Sequence, residues 1–253
     1  MEIIELEETA STNSYLAAIA RESPDGLTVV CHRQTAGRGQ RGNSWEAEPG
    51  KNITMSLLLR PAGLHPSRQF LISQAVSVAI ADVLARHLPG MEVRIKWPND
   101  IYVADRKICG ILIENSITAN GINHCIVGMG INVNQTEFRS DAPNPVSLSM
   151  LTGLTYPLRS LTEEIITRII GETARISSAS DDLQKRYFSL LWRREGYWPY
   201  TDCLRGEQIM ARIASVAPDG IITLALRPEA DGDAGQTRSF AFKEVAACLQ
   251  PMP

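Results

Sequence analysis

Residues 34–45, with the sequence QTAGRGQRGNSW, restrict the possible fold more than any other segment. Gly37, Gly39 and Gly42 match the GxGxxG spacing of dinucleotide-binding loops, but such loops run directly into a helix. Here the glycines are followed by Asn-Ser-Trp and then by a Pro-Gly pair, which cannot begin a helix. A P-loop would need a lysine and a hydroxyl residue after Gly42, and neither is present. The segment therefore predicts neither nucleotide-binding fold. It predicts a loop that either becomes ordered on an anion or is an ordinary solvated loop.

The composition excludes several classes of protein. The 253 residues are 44% hydrophobic, which is enough to bury a large core in one domain, with or without a small second unit. The net charge is −3 and the two signs are interleaved, which argues against a nucleic-acid partner. No run of about eighteen apolar residues is present, and the N-terminus does not resemble a signal peptide. We therefore expect a cytoplasmic protein without a membrane partner.

The cysteines show no spacing that is typical of a metal site. Cys31, Cys109, Cys125, Cys203 and Cys248 are scattered among apolar neighbours, with no CxxC or Cys/His pattern. We expect five buried thiols and no zinc.

Hydrophobic periodicity predicts alternating strands and helices before residue 199. The predicted strands are 2–6, 27–31, 53–59, 93–96, 107–114 and 124–133; the predicted helices are one that starts after Ser11 and those at 66–87, 161–176 and 181–194. A hairpin turn is expected at 104–106 and irregular chain at 134–148. Later strand-like runs, at 208–216, 220–226 and 238–242, predict a small antiparallel barrel. The pattern predicts two domains, residues 1–199 and 200–253.

The segment KWPNDIYV, residues 96–103, combines a lysine, an amide and a carboxylate within five positions. Pro98 restricts the turn, so that Lys96, Asn99 and Asp100 can converge on one point. A lysine can neutralise phosphate oxygens, and Asp100 could hold Mg²⁺. Pro-Asn-Asp is also a common turn, and we assign Trp97 to the core.

Two further segments combine glycine with strand-like patterns. KICGILIE places Lys107 at the mouth of an apolar strand, with Gly110 leaving space for a group to lie against the backbone. GMGINVN, residues 128–134, again alternates glycine with apolar residues. This alternation indicates either close approach by a ligand or tight packing.

Taken in order, these motifs resemble those of the biotin-protein ligases. The resemblance rests on Ser-Thr-Asn at 11–13, GRGQRG for the family's GRGRRG, KWPNDIY, KICGILIE for KxxGILxE, and GMGINVN for G-x-GINxN, and it covers nearly the whole chain. It implies an α/β (α+β) fold, in which a mixed-sheet catalytic domain precedes a small SH3-like β-barrel. Since ten residues precede Ser11, we expect the form without an N-terminal DNA-binding domain.

The resemblance also implies an activity. Such an enzyme activates biotin with ATP and Mg²⁺ as biotinyl-5'-adenylate, releases pyrophosphate, and transfers biotin to a lysine of a biotin carboxyl carrier domain. No covalent nucleophile on the protein is needed. A glycine-rich loop would close over the adenylate and exclude water.

Residue roles follow from the same resemblance. Biotin-binding positions would be Ser11, Thr12, Gln34, Gly37, Arg38, Lys107, Gly110, Gly128 and Ile131; ATP and phosphate positions would be Gln40, Arg41, Lys96, Asn99 and Asp100, with Asp100 as the Mg²⁺ ligand. Lys107 and Arg38 would be catalytic, with Lys107 stabilising the charge that develops on the α-phosphate. Gln40 and Asn43 stand where the family has basic residues, which leaves the contacts of the loop open.

Several alternatives remain open. A lipoate or octanoate ligase or transferase would share the fold, but the polar set of Ser11, Thr12 and Gln34 favours biotin. A biotin sensor that represses transcription would need a DNA-binding element. A simple α/β binding module would give no reason for Lys96, Asp100 and Lys107 to occur together. Both a monomer and a homodimer are compatible with the sequence.

Overall fold

The computed structural model describes residues 2–39, 44–119, 121–140, 144–228 and 235–249. Its elements, in chain order, are β1 (Ile3–Thr9), α1 (Thr12–Ile19), β2 (Thr28–Gln34), β3 (Ile53–Leu59), α2 (Phe70–His87), β4 (Val93–Lys96), β5 (Asp100–Val103), β6 (Arg106–Thr118), β7 (Gly121–Ile131), α3 (Leu148–Thr152), α4 (Leu158–Thr173), α5 (Ser180–Ser189), β8 (Trp198–Asp202), β9 (Glu207–Val216), β10 (Ile222–Leu226), β11 (Thr237–Phe240) and β12 (Val245–Ala247).

These strands form two sheets. Seven strands pair in the order β1-β2-β3-β7-β6-β5-β4, and five pair in the order β11-β10-β9-β8-β12. In the first sheet β1 and β2 are parallel, whereas the other neighbours are antiparallel. Every pairing in the second sheet is antiparallel. The predicted fold class, a mixed-sheet α/β unit followed by a β unit, is confirmed.

Helix α2 forms the centre of the main hydrophobic core. Most of its side chains are buried, because it packs against the sheet and against α4 and α5. Residues 66–87 are long and apolar enough to cross a membrane by composition, yet 72% of that window is buried inside the protein. Burial on several sides therefore accounts for a helix that is apolar around most of its circumference.

A network of charges joins the three helices of this layer. Asp82 of α2 binds Arg168 of α4 and Arg186 of α5, with nitrogen–oxygen distances of 2.6 Å in both pairs. Glu172, which is 7% exposed, binds the same two arginines at 2.6 and 3.2 Å. Each carboxylate thus has two cationic partners, as a buried charge requires.

Three strands were missed, β5, β8 and β12, and the first two contain or follow a proline. β5 begins after the Trp97–Pro98 peptide bond, which is cis. β8 contains Pro199 and pairs with β9 and β12. Proline reduces the predicted strand character because it cannot donate a ladder hydrogen bond. The second sheet begins at Trp198, so a boundary between residues 199 and 200 would fall inside its first strand.

The prediction that all five cysteines are buried is wrong for two of them. Cys31, Cys109 and Cys125 are buried in the first unit, whereas Cys203 is exposed and Cys248 is partly exposed. Cys203 follows β8 in a surface turn, where its apolar sequence neighbour Leu204 is also exposed.

Candidate active site

A cleft of about 760 Å³ opens over the centre of the seven-stranded sheet. It is lined by ten of the predicted site residues: Ser11, Thr12, Gln34, Arg38, Lys96, Asn99, Asp100, Lys107, Gly110 and Gly128. A volume of this size suits a ligand larger than a single metabolite ring. The cleft has a neutral polar end, formed around Thr12, and a charged end, formed around Lys107.

The neutral end is built on the start of α1. The Thr12 backbone N–H donates to Gln34 Oε1 at 2.7 Å, and Thr12 Oγ1 lies 3.1 Å from the same oxygen. Because these contacts hold the oxygen of Gln34, its amide nitrogen is the part that is available to a ligand. Ser11 and Thr12 are each at most 5% exposed, although they line the cleft.

Beneath Thr12 lies a set of polar side chains to which the sequence analysis assigned no role. Ser56 Oγ lies 2.7 Å from Thr12 Oγ1 and 2.6 Å from Asn13 Oδ1. Asn13 Nδ2 donates to Glu114 Oε2 at 2.6 Å and to the Leu112 carbonyl at 3.3 Å. In β3, Thr54 and Ser56 occupy alternate positions among apolar residues. This period-two pattern is the signal that could have identified the face of β3 that borders the cleft.

The glycines of β6 and β7 allow side chains to lie directly on the sheet. A Cβ on Gly128 would lie 2.2 Å from Asn13 Oδ1, which is far inside contact distance. Cβ atoms on Gly110 and Gly130 would lie 2.8 and 2.2 Å from the Trp45 ring. The alternation of glycine in GMGINVN therefore reflects close approach, and in this structure the approaching groups are Asn13 and Trp45.

The predicted role of Ile131 in lining the ligand pocket is wrong for its side chain. Ile131 is fully buried in the main core, with residues of α2, and it does not line the cleft. Successive side chains of a strand point to opposite faces. Gly128 and Gly130 face the cleft, so the residue after Gly130 points into the core.

The charged end is organised by an ion pair. Lys107 Nζ lies 2.8 Å from Asp100 Oδ1, and it also lies 5.5 Å from the centre of the Trp45 ring. Burial lowers the pKa of Lys96, and the nearby charge of Lys107 lowers it further, while Asp100 opposes the shift. An anion bound between the two lysines would relieve this repulsion.

Asn99 and Asp100 have different relations to the sheet. Asn99 is 5% exposed, and its Nδ2 donates one proton to the Ile111 carbonyl, which leaves its Oδ1 and the second Nδ2 proton for a ligand. Within the described residues, no group of three or more His, Cys, Asp or Glu could hold a metal ion. A single carboxylate such as Asp100 still fits Mg²⁺, which commonly takes one or two carboxylates together with substrate phosphates and water.

The two described ends of the glycine-rich loop pair with each other. Arg38 pairs with Ser44 across it, and Trp45 N donates to the Gly37 carbonyl at 3.1 Å. Arg38 also reaches Glu114, with a nitrogen–oxygen distance of 2.9 Å. Gly37 supports the base of the loop and does not line the cleft. The predicted phosphate contacts of Gln40 and Arg41 lie outside the described residues.

The C-terminal unit also reaches the cleft, which sequence reasoning missed. Leu249 lines the cleft, and the preceding carbonyl of Cys248 accepts a hydrogen bond from Arg193 at 2.7 Å. The Arg193 guanidinium lies between two indoles, 3.9 Å from the centre of Trp192 and 4.6 Å from that of Trp198. Nothing in the local pattern of residues 248–249 signals this contact, because it depends on how the second sheet packs.

The chain is similar to known proteins in sequence and in fold. Residues 6–132 match the Biotin/lipoate A/B protein ligase family. The bifunctional ligase/repressor BirA of Salmonella typhimurium is 32% identical over 160 residues, which are 63% of this chain and 49% of that protein. A biotin–[acetyl-CoA-carboxylase] ligase of Mycobacterium tuberculosis is 33% identical over 169 residues, covering 65% of this chain and 60% of that protein. A solved structure, the biotin protein ligase from Aquifex aeolicus in complex with biotin and ATP, superposes with a TM-score of 0.77 at 22% identity and covers 97% of both chains.

The mixed sheet and the C-terminal antiparallel sheet both lie within the 97% of this chain that superposes on the Aquifex aeolicus fold. The chain belongs to the biotin/lipoate A/B protein ligase family, whose match covers half of the sequence. It spans about half the length of the curated relatives that it matches.

Proposed function

We propose that this protein is an ATP-dependent biotin-protein ligase. It would activate biotin as biotinyl-5'-adenylate, with release of pyrophosphate, and then transfer biotin to a lysine of a biotin carboxyl carrier domain. One observation carries the proposal: a single cleft has neutral hydrogen-bonding groups at one end and an Asp100–Lys107–Lys96 cluster at the other. The relatives named for biotin ligation support the same conclusion.

The neutral end suits the uncharged ureido head of biotin. Ser11, Thr12 and Gln34 provide hydroxyl and amide groups without a formal charge, which match a urea that both donates and accepts. Gly110 and Gly130 lie along the sheet between the two ends, where the Trp45 ring rests directly on them in this structure and would have to move aside for a ligand. The valeryl chain of biotin would lie in this middle region.

The charged end suits the reacting groups. A biotin carboxylate oxygen would attack the α-phosphorus of ATP, forming the carbon–oxygen–phosphorus anhydride while pyrophosphate leaves. Lys107 is placed to stabilise the negative charge on the α-phosphate oxygens, and ATP would then replace Asp100 as its partner. Lys96 and Asn99 would bind the remaining phosphates. When Mg²⁺ is bound, it neutralises phosphate charge, and Asp100 is the side chain placed to hold it.

The second step uses the anhydride that the first step forms. The amine of a carrier lysine would attack the biotinyl carbonyl carbon, so that an amide forms and AMP leaves with the bonding electron pair. Water would compete for the same carbon. Arg38 and Trp45, which are held together by the base of the glycine-rich loop, would cover the adenylate and exclude water.

The proposal is tested by labelling a carrier domain. The protein is incubated with ATP, Mg²⁺ and a biotin carboxyl carrier domain, once with biotin and once with lipoate, and the mass of the carrier is measured. We expect a single biotinyl adduct on one lysine and no lipoyl adduct. Lys107→Met should abolish the adduct, whereas Lys185→Met, at an exposed position on α5, should leave it unchanged. A lipoyl adduct alone, or no adduct, would overturn the proposal.

A further inference from the structure

The polar chain beneath the neutral end of the cleft contains more contacts than it has hydroxyl protons. Three oxygen–oxygen contacts link it: Ser56 Oγ to Asn13 Oδ1 at 2.6 Å, Ser56 Oγ to Thr12 Oγ1 at 2.7 Å, and Thr12 Oγ1 to Gln34 Oε1 at 3.1 Å. The amide oxygens of Asn13 and Gln34 can only accept. The two hydroxyls carry one proton each, so one of the three contacts must lack a proton.

The contact distances, and the other hydrogen bonds that these oxygens make, decide which contact lacks a proton. Two lone pairs repel each other most at short range, so the unprotonated contact should be the longest one, between Thr12 Oγ1 and Gln34 Oε1. Gln34 Oε1 is still satisfied, because it accepts the Thr12 backbone N–H at 2.7 Å. The hydroxyl of Thr12 then donates to Ser56, and that of Ser56 donates to Asn13.

Glu114 fixes this direction. Its Oε2 accepts from Asn13 Nδ2 at 2.6 Å, which orients the Asn13 amide with its oxygen towards Ser56. A charged acceptor at the end of a hydrogen-bonded chain strengthens every donor before it, because each bond polarises the next. The chain therefore runs in one direction, from Thr12 through Ser56 and Asn13 to the carboxylate. The same Oε2 also binds Arg38 of the loop, at 2.9 Å.

We propose that Glu114 is a specificity-determining positioning residue for the head group that binds at Thr12. With its proton directed inwards, the Thr12 hydroxyl presents only lone pairs to the cleft and selects a ligand N–H. The amide nitrogen of Gln34 presents the complementary donor to a ligand carbonyl. The pocket is thereby polarised for a urea, with an N–H at one point and a C=O at the next. This inference rests on the proposed function, since it assigns the head group to the ureido ring.

The test uses two analogues of biotin, each a cyclic carbamate in which one ureido N–H is replaced by oxygen. Binding of biotin and of each analogue to the full-length protein is measured by calorimetry without ATP. In the analogue whose ring oxygen faces Thr12, that oxygen meets the Thr12 hydroxyl oxygen, and both can only accept. The affinity for this analogue should therefore be lower than that for biotin by a factor on the order of a hundred. In Glu114→Gln, a neutral acceptor replaces a charged one, so the preference for biotin over this analogue should fall by about tenfold.

Glu8→Gln is the matched control. Glu8 forms a similar carboxylate–arginine pair with Arg33, at 2.8 Å and with comparable exposure, but at the edge of the sheet. This variant should keep the wild-type preference. If the wild type does not discriminate against either analogue, the direction of the chain is refuted, whether or not Glu114→Gln folds. If Glu114→Gln binds biotin with an unchanged preference, the role of Glu114 is refuted while the proposed function stands. If the wild type binds no biotin, the proposed function fails, and this inference fails with it.

Discussion

Replacing Gly128 with alanine tests how closely the neutral end of the cleft is packed. The added Cβ would lie 2.2 Å from Asn13 Oδ1 and 2.9 Å from its Cγ, whereas ordinary contact begins at 3.4 Å. Asn13 must therefore move by about 1 Å. The side chain is 3% exposed and lies against the sheet, so it cannot move without breaking its hydrogen bonds to Ser56 and Glu114.

The magnitude follows from these two hydrogen bonds. Breaking each of these hydrogen bonds leaves a buried or partly buried polar group without a partner, at a cost of about 1–3 kcal/mol. We expect Gly128→Ala to lower the free energy of unfolding by about 2–6 kcal/mol. For a chain of this length, this corresponds to a fall in Tm of about 4–24 °C. Displacement of Asn13 also releases Ser56 and Thr12, so affinity for biotin should fall on the order of a hundredfold.

Thermal unfolding and biotin calorimetry check both effects, with Gly171→Ala as the control. A Cβ on Gly171 meets nothing within 4 Å, and the residue lies in α4. Alanine there should raise stability by about 0.5–1 kcal/mol, because it favours the helix. If Gly128→Ala unfolds within 1 °C of the wild type, with full affinity for biotin, then Asn13 is not held as described and the reasoning is refuted.

Three further predictions concern other parts of the molecule. Glu172→Gln removes a buried charge that binds Arg168 and Arg186, so the free energy of unfolding, measured with urea, should fall by about 1–2 kcal/mol while the affinity for biotin stays unchanged. A variant as stable as the wild type would contradict a structural role for the network. Lys96→Met should weaken ATP binding yet stabilise the ligand-free protein at pH 7, because it removes a charge that burial disfavours. Burial lowers the pKa of Lys96 in the folded protein, so its charge destabilises the fold at any pH where Lys96 is protonated in both the folded and the unfolded protein. This cost disappears as the pH rises through the lowered pKa towards the ordinary value. The stabilisation by Lys96→Met, measured by urea unfolding, should therefore shrink at high pH, and a stabilisation that grows with pH would refute this account. Arg193→Ala should free the Cys248 carbonyl and raise the KM for ATP by about tenfold with little change in the KM for biotin; equal changes in both would show that the C-terminal segment does not act at the charged end.

The elements with strong periodicity could be predicted from the sequence. β3 and β4 have the predicted bounds, because every residue of β3 is buried and the short β4 alternates cleanly. α5 ends at Ser189, whereas the prediction continued to residue 194. The residues beyond it include Leu191 and Trp192, which are buried by the sheet and so mimic a helical apolar face.

The candidate site could be predicted where motifs place charged or polar residues at strand ends. Lys107 and Asp100 were each assigned to the phosphate groups of ATP, and they form an ion pair across β5 and β6. Ser56 and Leu249 could not be found in this way. Ser56 becomes a site residue only because β3 pairs with β7 and α1 crosses above it, and Leu249 only because the second sheet packs beside the cleft. Both depend on contacts between segments that are distant in sequence.

The orientation of side chains on β7 was the remaining error. The motif GMGINVN was expected to present Gly128 and Ile131 to the ligand together. Side chains three positions apart on a strand point to opposite faces, so the Ile131 side chain cannot reach the cleft that Gly128 borders. A consistent application of the strand period would have placed Ile131 in the core.

The most direct test of the central claim is the exchange of labelled pyrophosphate into ATP. If the cleft forms an acyl-adenylate, exchange requires biotin and Mg²⁺ but no carrier protein, because the first step is reversible while pyrophosphate is present. We predict exchange with biotin and none without an added acid. We also predict that the exchange rate falls on the order of a hundredfold or more in Lys107→Met and stays at the wild-type value in Lys185→Met. Exchange that is independent of biotin, or that Lys107→Met retains in full, would contradict the account.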